Sequence, residues 1–242
     1  MKKLFTLILI ALLALPTMNV LGQTPPPMPT GGEKQLNLTV FLQGFYNGSE
    51  MTQCLLDDGA TPKFSGTIVD TITVELHNSA DYTIIEYSAC GVELQTNGTA
   101  NSPGKTYIGV PKTFNGLYYI TVKTRNHIET TTAAPVDFSS TISKYVNYDF
   151  STSPDKAYGY YPGIYESMIQ PFGTGTAYCL YAGDITQDGL VDFDDISIAN
   201  DDFYLSIVGY DVADINGDGM VDISDRSIAN DNFYLSAQKI TP

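Results

Sequence analysis

Two stretches thirty residues apart, DITQDGLVD at 184–192 and DINGDGMVD at 214–222, set oxygen-bearing side chains at alternate positions around a glycine. The likeness continues past them, ISIANDDFYLS at 196–206 matching RSIANDNFYLS at 226–236. The last quarter of the chain is therefore a duplicated unit, and each copy needs the other to bury its apolar side. Ile198, Ala199, Phe203 and Leu205, with Ile228, Ala229, Phe233 and Leu235, are the expected mutual core. Each unit reads as a loop followed by a short helix, beginning near Asp194 in the first copy and Ser224 in the second.

A loop that wraps calcium draws oxygens from its first, third, fifth, seventh, ninth and twelfth residues and turns sharply at a glycine in sixth place. The first stretch supplies Asp184, Thr186, Asp188, the Leu190 carbonyl, Asp192 and Asp195 around Gly189. The second supplies Asp214, Asn216, Asp218, the Met220 carbonyl, Asp222 and Asp225 around Gly219. One such match is a common accident of Asp-Gly turns; two in register predict two calcium ions. The twelfth-position aspartates also complement the N-termini of the helices that follow. Val191 and Val221 are the expected contact between the two loops. Four carboxylates per loop repel one another, so without the cation the tail is expected to be largely unfolded.

Charge follows the same division. Residues 181–242 carry 13 of the 27 acidic residues, all aspartate, against only Arg226 and Lys239. Acidic tails are commonly solvated and disordered, but here apolar residues recur between the aspartates at fixed places. The formal net charge of −15 disfavours nucleic acid and anionic membrane as partners. At the other end, MKKLFTLILIALLALPTMNVLGQ places two lysines before an apolar stretch from Leu4 to Leu15, broken only by Thr6. This reads as a secretory signal peptide over residues 1–22, cut after Gly22. The stretch is shorter than the roughly 20 residues a spanning helix needs, and no second candidate span follows. No cysteine lies close behind the cut, so no lipid anchor is expected. Residues 23–34, including TPPPMPTGG, read as an extended Pro/Gly-rich linker.

From residue 35 to about 150 the chain alternates short β-rich runs with turn signals. The runs are LNLTVFL, TITVELH, YTIIEYSA, VELQT, TYIGV, LYYITVKT and YVNYDF; YNGS, LDDGAT, QTNGTA, SPGK and FNG separate them. TITVEL alternates Ile72, Val74 and Leu76 with Thr71, Thr73 and Glu75, predicting one core face and one wet face. The expected fold is an antiparallel β-sandwich over residues 35–175, followed by a small α-helical loop-helix pair over 181–242. Three cysteines in a secreted chain suggest either one disulfide, Cys54 with Cys90, and one free thiol, or three buried thiols.

Catalysis is not expected. His77 and His127, the only histidines, lie in no metal or nucleophile motif and read as hydrogen-bonded surface residues. Asp57, Asp58, Glu75, Glu86 and Glu93 are carboxylates from which a glycosidase pair would have to be drawn, but most read as strand-face or turn charges. Seventeen tyrosines and eleven phenylalanines leave a polysaccharide-binding alternative open, with GYYPGIYESMIQPFG at 159–173 as the aromatic cluster. Tyrosine is equally at home in strands, and tryptophan is absent.

The duplicated loop-helix with aspartate in twelfth place resembles the dockerin type I repeat over about residues 181–240. That resemblance implies two calcium ions on the positions named above and a cohesin-like protein, or a cell-surface component, as partner. Thr186 departs from the Asn or Asp usual at third position. In cellulosomal dockerins the tenth and eleventh positions help choose the cohesin; here they are Phe193 with Asp194 and Ile223 with Ser224, unlike the familiar Ser-Thr pair. The stretch GLYYITVKTRNHIETTTAAPVDFSSTISKYVNYDFSTSPDKAYG resembles the sandwich-like module that precedes such repeats in secreted proteins of Bacteroidetes, implying adhesive or structural roles. The chain is therefore expected to be a secreted, non-enzymatic binding or structural protein.

Overall fold

In the computed structural model the strands are β1 (Glu33–Thr39), β2 (Ile68–Asn78), β3 (Ile85–Gln95), β4 (Thr99–Asn101), β5 (Ile108–Pro111), β6 (Leu117–Lys123), β7 (Thr130–Thr131), β8 (Val136–Asp137) and β9 (Tyr145–Asp149), of which β4, β7 and β8 fall on no predicted run. The structure describes residues 32–139, 144–162, 166–173 and 176–242. The predicted signal peptide and all but the end of the predicted linker lie outside those residues. The strands hydrogen-bond in the order β5-β1-β4-β3-β2-β6-β7, with β8 beside β6 and β9 beside β1. Every pairing is antiparallel except β1 with β9, where Gln35 to Thr39 run parallel to Tyr145 to Asp149. The body is thus mainly an antiparallel sheet, consistent with a sandwich.

The expected core face of TITVEL is correct, since Ile72, Val74 and Leu76 are all buried alongside Leu36, Leu38, Leu94, Ile120 and Val122. On the expected wet face Thr71 and Thr73 are half-buried, but its far end is covered. Glu75 and His77 are buried as well, because the turn after β2 folds Tyr82 back over them. Its ring stacks on His77 at 4.2 Å, and its hydroxyl meets Thr121 at 2.9 Å and Thr131 at 2.7 Å. The His77 ring bonds the Tyr82 carbonyl at 2.7 Å and Glu75 at 3.1 Å, and Lys123 pairs with Glu75 at 2.9 Å. A surface histidine was the expectation; a buried, fully partnered one is the finding.

Two runs expected as separate strands, 82–89 and 92–96, form the single strand β3. Ala89 faces Val74 and Val92 faces Ile72, so Cys90 and Gly91 bulge out between them, with Gly91 at φ +66. The bulge leaves Cys90 exposed while Cys54 and Cys179 are buried, and all three are free thiols. The expected Cys54–Cys90 disulfide is therefore not formed: one partner lies in the core and the other on the surface.

The tail folds as α1 (Phe193–Leu205) and α2 (Ile223–Tyr234), each starting one residue before its expected position. Both begin with a capping box, in which Asp192 and Asp222 accept from the first turn while Asp195 and Asp225 reach back to the cap's own N–H. Ala199 and Ala229 are fully buried between the helices with Ile185, Ile196, Ala213, Ile215 and Val221, and Ile198, Phe203, Ile228 and Phe233 pack at the margin. Leu205 and Leu235 are not core, being 71% and 57% exposed at the helix ends. The chain turns left-handed just beyond, at Ser206 and Ser236, which aims both leucines outward.

Candidate metal centre

Each loop is closed by its first and twelfth aspartates, both of which are buried. In the first loop Asp184 accepts from the N–H groups of Asp188 at 3.1 Å and Gly189 at 3.2 Å. Asp195 accepts from Thr186 at 2.9 Å and Asp192 at 2.8 Å. In the second loop Asp214 accepts from Gly217 at 2.9 Å and Gly219 at 3.2 Å, and Asp225 from Ile215 at 2.8 Å, Asn216 at 3.0 Å and Asp222 at 2.9 Å. The fifth-position aspartates turn inward to the seventh residue, Asp188 accepting from Leu190 at 2.9 Å and Asp218 from Met220 at 3.0 Å. The ninth-position aspartates serve as helix caps, Asp192 for Asp194 and Asp222 for Ser224. Asn216 spends its amide on Asp218 and Ser224. Gly189 and Gly219 stand at φ +92 and +84, a left-handed turn that glycine makes without strain.

Among the described residues no three His, Cys, Asp or Glu side chains are grouped tightly enough to hold an ion as they stand. The carboxylates are instead turned onto backbone N–H groups. Their chemistry nonetheless suits a hard cation: the donor set is all oxygen, and the first and twelfth aspartates of each loop are buried with too little positive charge. Burial pushes Asp184 up to about 7, with Asp195 and Asp188 repelling it further. Asp214 also rises to about 7, through burial against the opposing pull of Arg125, and Asp225 to about 6, again through burial. Carboxylates so placed will hold either protons or a divalent ion.

The two loops do not pair with each other through Val191 and Val221. Val191 lies in a small cluster with Ile128, Tyr181 and Ala237, and Val221 lies in the inter-helix core. Each loop instead pairs with the segment following the opposite helix. The Val191 N–H donates to the Ala237 carbonyl at 2.9 Å and the Lys239 N–H to the Gly189 carbonyl at 2.6 Å; the Val221 N–H donates to Ile207 at 3.0 Å and the Gly209 N–H to Gly219 at 2.7 Å. The edge that a facing loop would have used is already taken.

The second loop is also seated on the β body through residues the sequence did not single out. Asn126 donates its amide to the carbonyls of Val212 at 2.9 Å and Asp214 at 3.1 Å, and the Leu55 N–H donates to Gly217 at 2.8 Å. Gly44 lies so close that an added Cβ would fall 2.3 Å from the Ile215 carbonyl oxygen. Beside them Tyr210 donates to Asp70 at 2.6 Å, and Arg125 lies 3.5 Å from Asp70 and 4.3 Å above the Tyr210 ring. No spacing rule announces such a cluster, because its members come from positions 44 to 217 and meet only after folding.

The remaining candidates have structural roles. His127 is fully buried beside Phe45, not on the surface, because it sits where residue 182 bridges back to the body. Glu75 is committed to Lys123 and His77, Asp58 caps its own turn through Ala60 and Thr61, and Glu86 accepts from Asn78. Of the aromatic cluster, Tyr161 and Phe172 are exposed, though Phe172 lies edge-on to Tyr46 at 6.0 Å; Tyr165 lies outside the described residues.

No protein-family profile matches the chain, and no curated protein does. Two similar solved structures are complexes of a type II cohesin with an X-dockerin from Acetivibrio cellulolyticus. One, a C-terminal interface mutant, is 16% identical with a TM-score of 0.44, covering 86% of this chain and 97% of that one. The other, an N-terminal interface mutant, is 15% identical with a TM-score of 0.41, covering 86% and 95%.

Proposed function

We propose that this is a secreted, non-enzymatic binding or structural protein whose tail, residues 181–242, is a dockerin-like pair of repeats stabilised by two calcium ions. In this reading residues 1–22 are removed, 23–34 form a linker and 35–175 form the β module. The observation that carries it is the buried pair of aspartates, first and twelfth, closing each of two loops that stand in register. Asp184, Thr186, Asp188, Leu190, Asp192 and Asp195 would hold one ion, and Asp214, Asn216, Asp218, Met220, Asp222 and Asp225 the other. The ion supplies charge neutralisation, and the chain supplies the fold that brings the oxygens near one another.

The partner in this reading is a protein, cohesin-like or part of a cell surface. What supports it is a repeated set of apolar side chains left outside the core: Phe193, Tyr204 and Leu205 on α1, and Ile223, Tyr234 and Leu235 on α2, all more than half exposed. Phe193 and Ile223 hold the tenth position of their loops. A second reading, retention on polysaccharide through the β module, rests on exposed Tyr161 and Phe172.

Calorimetric titration of calcium into chelator-treated protein lacking residues 1–22 tests the metal assignment. Two ions are expected, falling to one in the double variant Asp214→Ala, Asp225→Ala. An unchanged stoichiometry in that variant would refute it.

A further inference from the structure

β1 breaks its own alternation at its start. Leu36 and Leu38 face the core, and on the same side of the strand position 34 is a lysine. Lys34 is 6% exposed, so its stem is packed like a core residue and only its ammonium emerges, at the end of the sheet. Among the described residues that nitrogen has no hydrogen bond and no ion pair. The acid that attracts it, Asp137, lies beyond ion-pair distance and commits its carboxylate to the Ser139 N–H at 2.7 Å. Burial accordingly holds Lys34 below the ordinary lysine value despite that attraction. Glu33, next to it on the strand, is taken by Lys105 at 2.6 Å.

The neighbouring strands add cations where an acid would be the usual partner. β5 and β9 flank β1 on opposite edges, with Lys34 opposite Val110 and Gln35 opposite Tyr145. Lys112 follows β5, its ammonium 3.0 Å from where a Cβ on Gly32 would stand, and Lys144 precedes β9, its carbonyl accepting from the Gln35 N–H at 2.7 Å. Lysines from three adjacent strands therefore gather at one end of the sheet, around a buried cation that no acid pairs with among the described residues. Beside them Tyr145 is 53% exposed.

We propose that this end of the β module binds an anionic polysaccharide, one acidic group of the sugar chain pairing with Lys34, the flanking acidic groups with Lys112 and Lys144, and a sugar ring lying against Tyr145. An ammonium already stripped of water by folding gains more from an anion than an exposed one does. The aromatic face favours a sugar over an acidic peptide. The net charge of −15 opposes any polyanion, but charges more than about 8 Å away are screened at physiological ionic strength, so the local lysines decide. The proposal is independent of the calcium reading and of Tyr161 and Phe172.

The test is binding of the chain lacking residues 1–22 to immobilised dextran sulfate, unmodified dextran and polyglutamate, followed by biolayer interferometry at rising salt. Binding to dextran sulfate alone is expected, weakening as salt is added. Lys34→Met should bind at least about tenfold more weakly. Its melting temperature should stay the same or rise, because an unpaired buried charge gives way to an apolar stem of similar length; a lysine kept for stability would show the reverse. Lys112→Gln and Lys144→Gln, both at exposed positions, should each weaken binding about threefold, and Lys63→Gln, over the Tyr210 ring, should leave it unchanged. Equal binding to dextran or to polyglutamate, full binding by Lys34→Met, or no binding to dextran sulfate would overturn the proposal.

Discussion

A buried imidazole and a buried carboxylate answer acid in opposite senses, and this protein contains both. His127 is pushed from 6.5 down to about 3 by burial and by neighbouring Arg125, so the folded state refuses a proton that the unfolded chain accepts. Its contribution to stability is intact above pH 6.5 and is lost as the pH falls toward 3, by up to about 5 kcal/mol. Urea midpoints for the protein and for His127→Phe should therefore diverge progressively below pH 6.5, the variant losing less. The thiols give a second check at this scale. Cys90 alone should react with an aromatic disulfide reagent in the native protein, Cys54 and Cys179 only after unfolding, since both are buried and burial raises their pKa. Neither histidine's environment was legible in the sequence: what covers His77 is a turn folding back, and what covers His127 is a bridge from residue 182.

At the scale of elements, the segment after α2 behaves as a strand belonging to the first loop. Removing residues 237–242 deletes the bonds at Val191 and Lys239 and should cost about 2 kcal/mol, read from denaturant unfolding. The loss should fall on the first loop, so amide exchange at Gly189 and Val191 should accelerate well before that at Gly219 and Val221. The helices themselves were plain in the sequence, because a capping aspartate followed by another three residues on is a local signal, and the structure moves each start by one residue. The turn at QTNGTA was equally local, and it joins β3 to β4. What the sequence did not reveal were the partners: that 82–89 and 92–96 join across a bulge, that Leu205 and Leu235 are thrown outward by the left-handed serines, and that each loop pairs with the far helix's following segment. The bulge and the loop pairings depend on residues 10 to 50 positions away, beyond the reach of any periodicity, and nothing in a serine announces a left-handed turn.

For the whole molecule, the proposed calcium ions would compete with protons for the same carboxylates. Asp184 and Asp214, held near 7 when folded against 3.8 unfolded, destabilise the metal-free fold at high pH, and that penalty shrinks as the pH falls below 7 and is gone only below 3.8. The rise in melting temperature on adding calcium should accordingly be larger at about pH 8 than at about pH 5, and the stabilisation free energy behind it should approach ~2.7 kcal/mol per site at a hundredfold excess over Kd. Gly44→Ala probes the seating of the tail on the body without touching a loop: its new methyl would strike the Ile215 carbonyl, and at least about 2 kcal/mol of stability should be lost.

The reciprocal pairing of loops and trailing segments also decides what half of the tail can do. A single repeat, residues 181–210, owns one open loop edge and one trailing strand whose proper mates both lie in the missing copy. Two such halves carry complementary hands, and each can grip the other as the full tail grips itself. Made alone, one repeat should therefore pair with a second copy of itself, the internal duplication turned back into a symmetric dimer.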